Sequence, residues 1–253
     1  MSTAIVTGAS RGIGRAIAER LAADGYTVIG TYARNESAAA DVAAGSGATM
    51  HRVDFSADGA VAEFVEQLEP TPLDVLVNNA GIFEYEDFED FDMELWRRVV
   101  RVNLDAVVEL STALRPRFNR GGSIVNIASL DGYVAAYDSM SYAAGKAALV
   151  NLTQSLAVNF APYGVRVNGI APGWITTEMN VDSDTSGAAE WTPLGREGEP
   201  AEIASVVSFF CSDDAGFVTG QTLVVDGGYG LVDPVIKLDS DRLRAERKMG
   251  GRH

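Results

Sequence analysis

Short apolar runs alternate along the chain with longer segments of helical periodicity. Seven of these runs, rich in Val, Ile and Leu, predict β-strands over residues 4–6, 27–31, 50–53, 73–77, 123–128, 165–170 and 222–225. Residues 74–77 and 123–127 are almost continuously apolar, which is typical of strands that are covered on both faces. The pattern therefore predicts a parallel sheet with helices packed against both of its faces.

The segments between the runs have the spacing of amphipathic helices. Helices are predicted to begin near Gly12, Glu36, Asp58, Asp92, Met140 and Pro200. This alternation predicts an α/β fold, a doubly wound, Rossmann-type parallel sheet of seven strands in a single domain over residues 1–230. Beyond that point the alternation stops and the chain turns basic, so residues 231–253 are predicted to be a tail, either a mobile end or an oligomer contact.

The composition, 47% hydrophobic and 22% charged, is that of an ordinary soluble protein. No apolar run approaches the ~20 residues that a membrane span needs, and the first residues lead directly into a strand, without a secretion signal. We therefore expect a cytoplasmic protein without a membrane anchor. The chain has one cysteine and two histidines, which leaves no cluster with the spacing of a zinc site, so no catalytic metal is expected.

The charge balance is strongly acidic, with 20 Lys and Arg against 35 Asp and Glu, for a net charge of −15. Such a surface repels nucleic acid phosphates and argues against a nucleic acid partner. Two interpretations of the acidity stay open, namely the acidic proteome of an organism that lives in high salt and simple solubility.

A glycine-rich turn follows the first predicted strand and opens the first helix. Its candidate cofactor-binding residues are Gly8, Ser10, Arg11, Gly12, Ile13 and Gly14. Glycines in such a turn adopt positive φ and let backbone N–H groups approach a pyrophosphate, which the helix dipole also favours. The spacing departs from the commoner Gly-x-Gly-x-x-Gly pattern, so a plain tight turn is the alternative.

The end of the second strand carries Arg34, where a site for NAD would usually have an acid. Together with Arg11, this guanidinium would pair with a 2′-phosphate, which predicts NADP(H) as the cofactor in preference to NAD(H). The alternative is that both arginines are simply solvated. At the ends of the third and fourth strands, further cofactor contacts are expected from Asp54, Phe55, Asn79, Ala80 and Gly81.

Tyr142 and Lys146 stand four residues apart on a predicted helix, in a chain with only three lysines. Residues at this spacing share a helix face. An ammonium beside a phenol is expected to lower the tyrosine pKa, which makes Tyr142 a candidate acid and base. Ser129 stands at the end of the fifth strand, 13 residues before Tyr142. The hydroxyls of Ser129 and Tyr142 are predicted to face one carbonyl group together. No His and Asp partners of a hydrolase triad accompany that serine.

Asn103 is the one polar side chain in the apolar stripe of the long helix after Asp92. A buried amide must find hydrogen-bonding partners. The sequence leaves two interpretations open: Asn103 satisfies local backbone groups, or it holds a water molecule next to a functional group.

Taken together, these motifs resemble those of the short-chain dehydrogenase/reductase family, over residues 4–229. In chain order the motifs are Thr7-Gly8-x3-Gly12-x-Gly14, Asn78-Asn79-Ala80-Gly81, Asn103, Ser129, Tyr142-x3-Lys146 and Pro172-Gly173. The resemblance implies hydride transfer between a nicotinamide and a carbonyl or alcohol carbon, and a homotetramer.

The resemblance also implies a role for each matching residue. Tyr142 would transfer the proton, Ser129 would bind the substrate oxygen, and Lys146 would bind the nicotinamide ribose. Asn103 would hold a water of a proton relay. Contacts with the nicotinamide would come from Pro172, Gly173, Ile175 and Thr177.

The substrate is the least determined part of the prediction. The motifs are most similar to those of 3-oxoacyl-(acyl-carrier-protein) reductases and of sugar or polyol dehydrogenases, and a catalytically silent NADP sensor is the alternative from another class. Substrate contacts are expected from residues 130–137 and 174–191. The acidic stretch 84–92 would disfavour polyanionic substrates if it lined the entrance.

Overall fold

The computed structural model describes residues 2–69, 71–177 and 187–250, the last three by their backbone alone. Seven parallel strands form one sheet in the order β3-β2-β1-β4-β5-β6-β7. The strands are β1 Thr3–Val6, β2 Thr27–Tyr32, β3 Thr49–Arg52, β4 Leu73–Asn78, β5 Phe118–Ile127, β6 Arg166–Pro172 and β7 Thr222–Val225. The predicted sheet is confirmed, with the reversal of strand order between β1 and β4 that marks a doubly wound fold.

The helices cover both faces of the sheet. They are α1 Gly12–Ala23, α2 Glu36–Ser46, α3 Ala60–Gln67, α4 Met93–Val100, α5 Ala106–Leu114, α6 Met140–Phe160, α7 Ala188–Trp191, α8 Pro200–Cys211 and α9 Pro234–Gly250. On one face α1 and α8 bury Leu21 and Val207, and on the other α3, α5 and α6 bury Phe64, Leu110 and Phe160. This double cover explains why the central strands are apolar throughout.

The structure differs from the sequence prediction at β5 and α3. Strand β5 begins at Phe118, five residues before the predicted start, and its register against β4 shifts between Leu73 and Val75. Residues 119–122 at this irregularity are polar or glycine, so the apolar pattern that predicts the strand begins only after them. Helix α3 begins at Ala60 because Gly59 before it has a left-handed φ of 78°.

The predicted long helix after Asp92 contains one irregular turn. Asp92 caps it as predicted, by accepting a hydrogen bond from the Glu94 N–H. Between α4 and α5 the backbone forms a π-helical turn over Arg101–Asp105, and this turn carries Asn103. Turns of this type often occur at functional sites.

A helix occupies most of the segment for which the sequence predicted a tail. Helix α9 spans 17 residues, eight of them charged, and the sequence shows no long apolar stripe that would predict it. Its contacts with the rest of the chain include Lys237 Nζ, which lies 5.4 Å from the centre of the Trp191 ring. No helix among the described residues is long and apolar enough to cross a membrane.

Candidate active site

A cleft of about 860 Å³ opens at the carboxyl ends of the central strands. All of the predicted cofactor-binding residues line this cleft, and so does Ser129. Asn103 does not line it. Of the segment 174–191 that is expected to contact substrate, residues 178–186 lie outside the described residues, while the predicted contact Thr177 is part of the cleft.

The glycine-rich turn forms one end of the cleft and admits no side chain at its tightest point. Gly8 and Gly12 have φ angles of 65° and 52°. A Cβ atom on Gly14 would lie 2.1 Å from the carbonyl oxygen of Gly8. Helix α1 begins in this turn without a side-chain cap, so its first N–H groups are free to bind an anion. This cradle fits the pyrophosphate of a dinucleotide.

Asn79 holds the glycine-rich turn in place from the end of β4. Its side-chain amide donates hydrogen bonds to the carbonyl oxygens of Thr7 at 2.9 Å and Gly8 at 3.2 Å. In return, the Thr7 hydroxyl accepts hydrogen bonds from the N–H groups of Asn79 and Ala80, both at 2.9 Å. Asn79 therefore supports the cradle, a task that the sequence analysis did not assign to it.

Two arginines face the far end of the cleft without an acidic partner in contact. Arg11 and Arg34 are exposed, and neither forms an ion pair with a described residue. Asp54 lies nearby and accepts two hydrogen bonds from Ser56, at 2.6 Å from its hydroxyl and 3.0 Å from its N–H. These bonds, helped by the charge of Arg34, hold the pKa of Asp54 below its usual value.

The three predicted reacting residues converge at the other end of the cleft. Ser129 follows strand β5 and lies beside Tyr142, where its hydroxyl opposes the rise in the pKa of the phenol. Lys146 lies one turn further along α6, with 4% of its surface exposed. Its Nζ donates to the carbonyl oxygen of Ile127 at 2.8 Å and lies 5.5 Å from the centre of the Tyr142 ring. The predicted cluster of Ser129, Tyr142 and Lys146 is thus present.

The predicted effect of Lys146 on Tyr142 is wrong in this structure. Burial raises the pKa of Tyr142 to about 12, against the smaller opposing effect of Ser129. Burial also lowers the pKa of Lys146 to about 8. The physical reason is that an apolar environment disfavours the charged form of both groups, and the ammonium is bonded to a carbonyl oxygen instead of the phenol.

Asn103 binds the backbone of the loop that follows β4. Its side-chain oxygen accepts from the Ile82 N–H and its amide donates to the Ile82 carbonyl oxygen, both at 2.9 Å. A Cβ atom on Gly81 would lie 3.1 Å from this oxygen and 3.6 Å from Lys146 Nζ. The bonds support the structural interpretation of Asn103, and the water relay stays a prediction.

Asp131 is a charged neighbour of the cluster that the sequence analysis missed. Its N–H donates to the Ser129 hydroxyl at 3.1 Å, and its carboxylate is partly buried beside the cluster. Burial raises the pKa of Asp131, and its charge in turn raises the pKa values of Tyr142 and Lys146. An acid two residues after a strand-end serine was the available signal, but it lay within the segment assigned to substrate.

Comparison with known proteins identifies the family. The sequence profile described as enoyl-(acyl carrier protein) reductase matches residues 8–230. An acetoacetyl-CoA reductase of Shinella zoogloeoides is 39% identical over 239 residues, which cover 90% of this chain and 98% of the relative. The 3-oxoacyl-(acyl-carrier-protein) reductase FabG of Escherichia coli K12 is 40% identical, over 90% of this chain and 97% of the relative.

A solved structure with the same fold contains a bound cofactor. It is a short-chain dehydrogenase from Burkholderia cenocepacia in complex with NADP, 34% identical, with a TM-score of 0.86 over 90% of this chain and 97% of that one. The chain therefore belongs to the short-chain dehydrogenase/reductase family and is an NAD(P)-dependent oxidoreductase that acts on carbonyl or alcohol groups.

Proposed function

We propose that the protein reduces 3-oxoacyl thioesters with NADPH. One observation carries this proposal: a single cleft joins the cluster of Ser129, Tyr142 and Lys146 to Arg11 and Arg34, two arginines that form no ion pair within the described part of the chain. The similarity to reductases named for acetoacetyl-CoA and 3-oxoacyl carrier protein substrates supports the choice of substrate.

The cofactor, when bound, supplies a hydride, and the residues of the cleft hold the reactants. The glycine-rich turn binds the pyrophosphate, and Pro172, Gly173, Ile175 and Thr177 border the nicotinamide end. Ser129 donates a hydrogen bond to the substrate carbonyl oxygen. Because the pKa of Tyr142 lies near 12, its phenol keeps its proton at neutral pH and acts as the acid. The protonated phenol is the form that carbonyl reduction uses.

The acidic stretch 84–92 presents less charge to the cleft than its sequence suggests. Among its described residues only Glu84 lines the cleft, and its carboxylate is paired with the Arg98 guanidinium through two hydrogen bonds. Glu86 turns inward and is buried. Since the pair at the rim is close to neutral, the stretch does not oppose a thioester on an anionic carrier as strongly as its composition implies.

Preference for NADP(H) over NAD(H) is part of the proposal, and it rests on Arg11 and Arg34.

The family resemblance supports a homotetramer, a cytoplasmic location and the division into a domain over 1–230 and a tail over 231–253. The net charge of −15 is compatible with the acidic proteome of an organism from high salt. These remain predictions.

A sugar or polyol dehydrogenase is the second candidate function. The observation that favours it is the partly buried carboxylate of Asp131, whose N–H donates to the Ser129 hydroxyl, because a carboxylate accepts hydrogen bonds from a hydroxylated substrate. A silent NADP sensor is disfavoured, since binding alone requires no proton donor next to the nicotinamide end.

Activity with two groups of substrates separates these functions. We expect NADPH oxidation with acetoacetyl-CoA, and slower NADP+ reduction with glucose or sorbitol, at both low and high salt. Turnover of the sugars alone would replace the proposed function by the second candidate. Tight NADPH binding without turnover of either group would establish the sensor.

Replacement of Asp131 tests the electrostatic coupling in the cluster. The carboxylate raises the pKa values of Tyr142 and Lys146, so Asp131→Asn lowers both of them. Reduction requires protonated Tyr142 and declines as pH rises through the apparent pKa, so the alkaline limb of kcat/KM moves to lower pH in the variant. Asp138→Asn, an exposed acid at a φ of 53° that Asn tolerates, is the control. An alkaline limb at the same or higher pH in Asp131→Asn would contradict this assignment.

A further inference from the structure

Glu86 is buried within an otherwise exposed acidic segment. Its exposed fraction is 5%, whereas Asp87, Glu89 and Asp90 are exposed. A carboxylate is rarely buried unless its oxygens are satisfied by hydrogen bonds. The position of Glu86 therefore calls for donors, and the structure provides them at the start of helix α6.

Both carboxylate oxygens of Glu86 accept hydrogen bonds from the first turn of α6. Oε2 accepts from the Met140 N–H at 2.7 Å and Oε1 accepts from the Ser141 N–H at 2.9 Å. In addition, the Glu86 N–H donates to the carbonyl oxygen of Asp138 at 2.7 Å. A carboxylate at a helix N-terminus also interacts favourably with the helix dipole.

Helix α6 does not provide this cap itself. Ser139 occupies the N-cap position, but its hydroxyl donates to the carbonyl oxygen of Tyr137 at 3.2 Å and caps no N–H group. The cap comes instead from a segment that is distant in sequence. Glu86 thus links the loop after β4 to the helix that carries Tyr142.

The residues just before Glu86 contact two other members of the candidate site. The Phe83 ring packs against the Tyr142 ring, with centres 5.3 Å apart and planes at 77°. The backbone of Ile82 makes both hydrogen bonds with Asn103. Segment 82–86 is therefore fixed at Asn103, at the Tyr142 ring and at the two residues that precede Tyr142.

We propose that Glu86 is a positioning residue, which holds the first turn of α6 so that the Tyr142 hydroxyl stays next to Ser129 and in the path of the substrate carbonyl. The proposal rests on the proposed function in its assignment of Tyr142 as the proton donor. A displacement of about 1 Å at a reacting group lowers turnover by as much as 10²-fold. The two bonds from Glu86 end on Met140 and Ser141, directly before Tyr142, so we expect their loss to displace Tyr142 in this way.

The test uses Glu86→Ala and Glu86→Gln in the full chain. Turnover of acetoacetyl-CoA is measured well below the melting temperature of each variant and divided by the number of NADPH sites, which removes any effect of unfolded protein. We expect kcat per site to fall at least about tenfold in Glu86→Ala and less in Glu86→Gln, which keeps one acceptor oxygen. The Kd for NADPH stays within about twofold, because Glu86 does not line the cofactor cleft.

Two further measurements need no substrate. Amide hydrogen exchange at Met140 and Ser141 should become faster in Glu86→Ala. The Tyr142 phenol, titrated by ultraviolet absorbance against a Tyr142→Phe reference, should ionise at lower pH, because burial raises its pKa and the variant loosens the burial of the ring. Asp131, the charged group that acts on Tyr142, remains in the variant, and so does Lys146 beside the ring.

Glu89→Gln is the matched control, since Glu89 is an exposed acid three residues along the same segment. It should match the wild type in every measurement. Unchanged kcat per site in Glu86→Ala would overturn the positioning role. A wild type inactive with acetoacetyl-CoA would instead overturn the proposed substrate, and unchanged exchange and titration in Glu86→Ala would then overturn the role of Glu86.

Discussion

We expect Tyr142→Phe to lower kcat for carbonyl reduction about 10³-fold, the middle of the range for a positioned general acid. The substitution removes the hydroxyl and leaves the ring, so the packing against Phe83 persists. Because the glycine-rich turn and the two arginines hold the cofactor elsewhere in the cleft, the Kd for NADPH should change by no more than about twofold. Single-turnover kinetics and a fluorescence titration with NADPH measure the two quantities.

Tyr163→Phe is the control for this experiment. Tyr163 lies just beyond the other end of α6, where its hydroxyl accepts a hydrogen bond from Arg115. The kcat of this variant should equal that of the wild type. Turnover near the wild-type rate in Tyr142→Phe would remove this residue from the mechanism. A large loss of NADPH affinity would mean that its hydroxyl serves the cofactor instead.

The second large effect is expected from the double substitution of Arg11 and Arg34 by alanine, which should raise the Kd for NADPH about 10²-fold. Each guanidinium is expected to make charge-assisted hydrogen bonds to the 2′-phosphate, worth about 1.5–3 kcal/mol, and part of this is lost to solvent screening at an exposed site. NADH lacks that phosphate, so its Kd should be nearly unchanged. Binding titrations with both cofactors, on wild type and variant, measure the difference.

Arg97→Ala serves as the control for a change in net charge. Arg97 is an exposed arginine of α4, it is paired with Glu94, and it does not line the cleft. An equal loss of affinity for NADH and NADPH in the double variant would contradict a specific phosphate site. A tenfold or greater preference of the wild type for NADH in kcat/KM would contradict the choice of cofactor.

Most of the fold and the membership of the site follow from local sequence pattern. Continuous apolar runs identify strands that are covered on both faces, and the carboxyl ends of parallel strands meet at one edge of the sheet. The distant residues Gly8, Asn79 and Ser129 could therefore be assigned to one cleft without coordinates, and the family resemblance added Pro172. The four-residue spacing of Tyr142 and Lys146 was enough to predict that both lie on the same face of a helix.

Properties that depend on long-range burial could not be predicted in this way. The direction of the Tyr142 pKa shift is set by how deeply the phenol and the Lys146 ammonium are packed, and that depends on elements far apart in sequence. Glu86 looked like one of several surface acids because its partners, the N–H groups of Met140 and Ser141, are about 55 residues away. The amino-acid sequence around Asn103 contains no local pattern that distinguishes a π-helical turn from an α-helix.

That π-helical turn limits the insertions and deletions that the chain can accept. The turn already holds one residue more than a regular α-helical turn, so removal of one residue from it would restore an α-helix and leave the buried faces of α4 and α5 in place, at the cost of the position of Asn103. Insertion of a further residue is different, because each residue of an α-helix advances the side chains by about 100°, and either Val99 or Leu110, both buried now, would then turn toward water. Exposed loops commonly tolerate changes in length, but in this helix one added residue would disturb the core and Asn103 together.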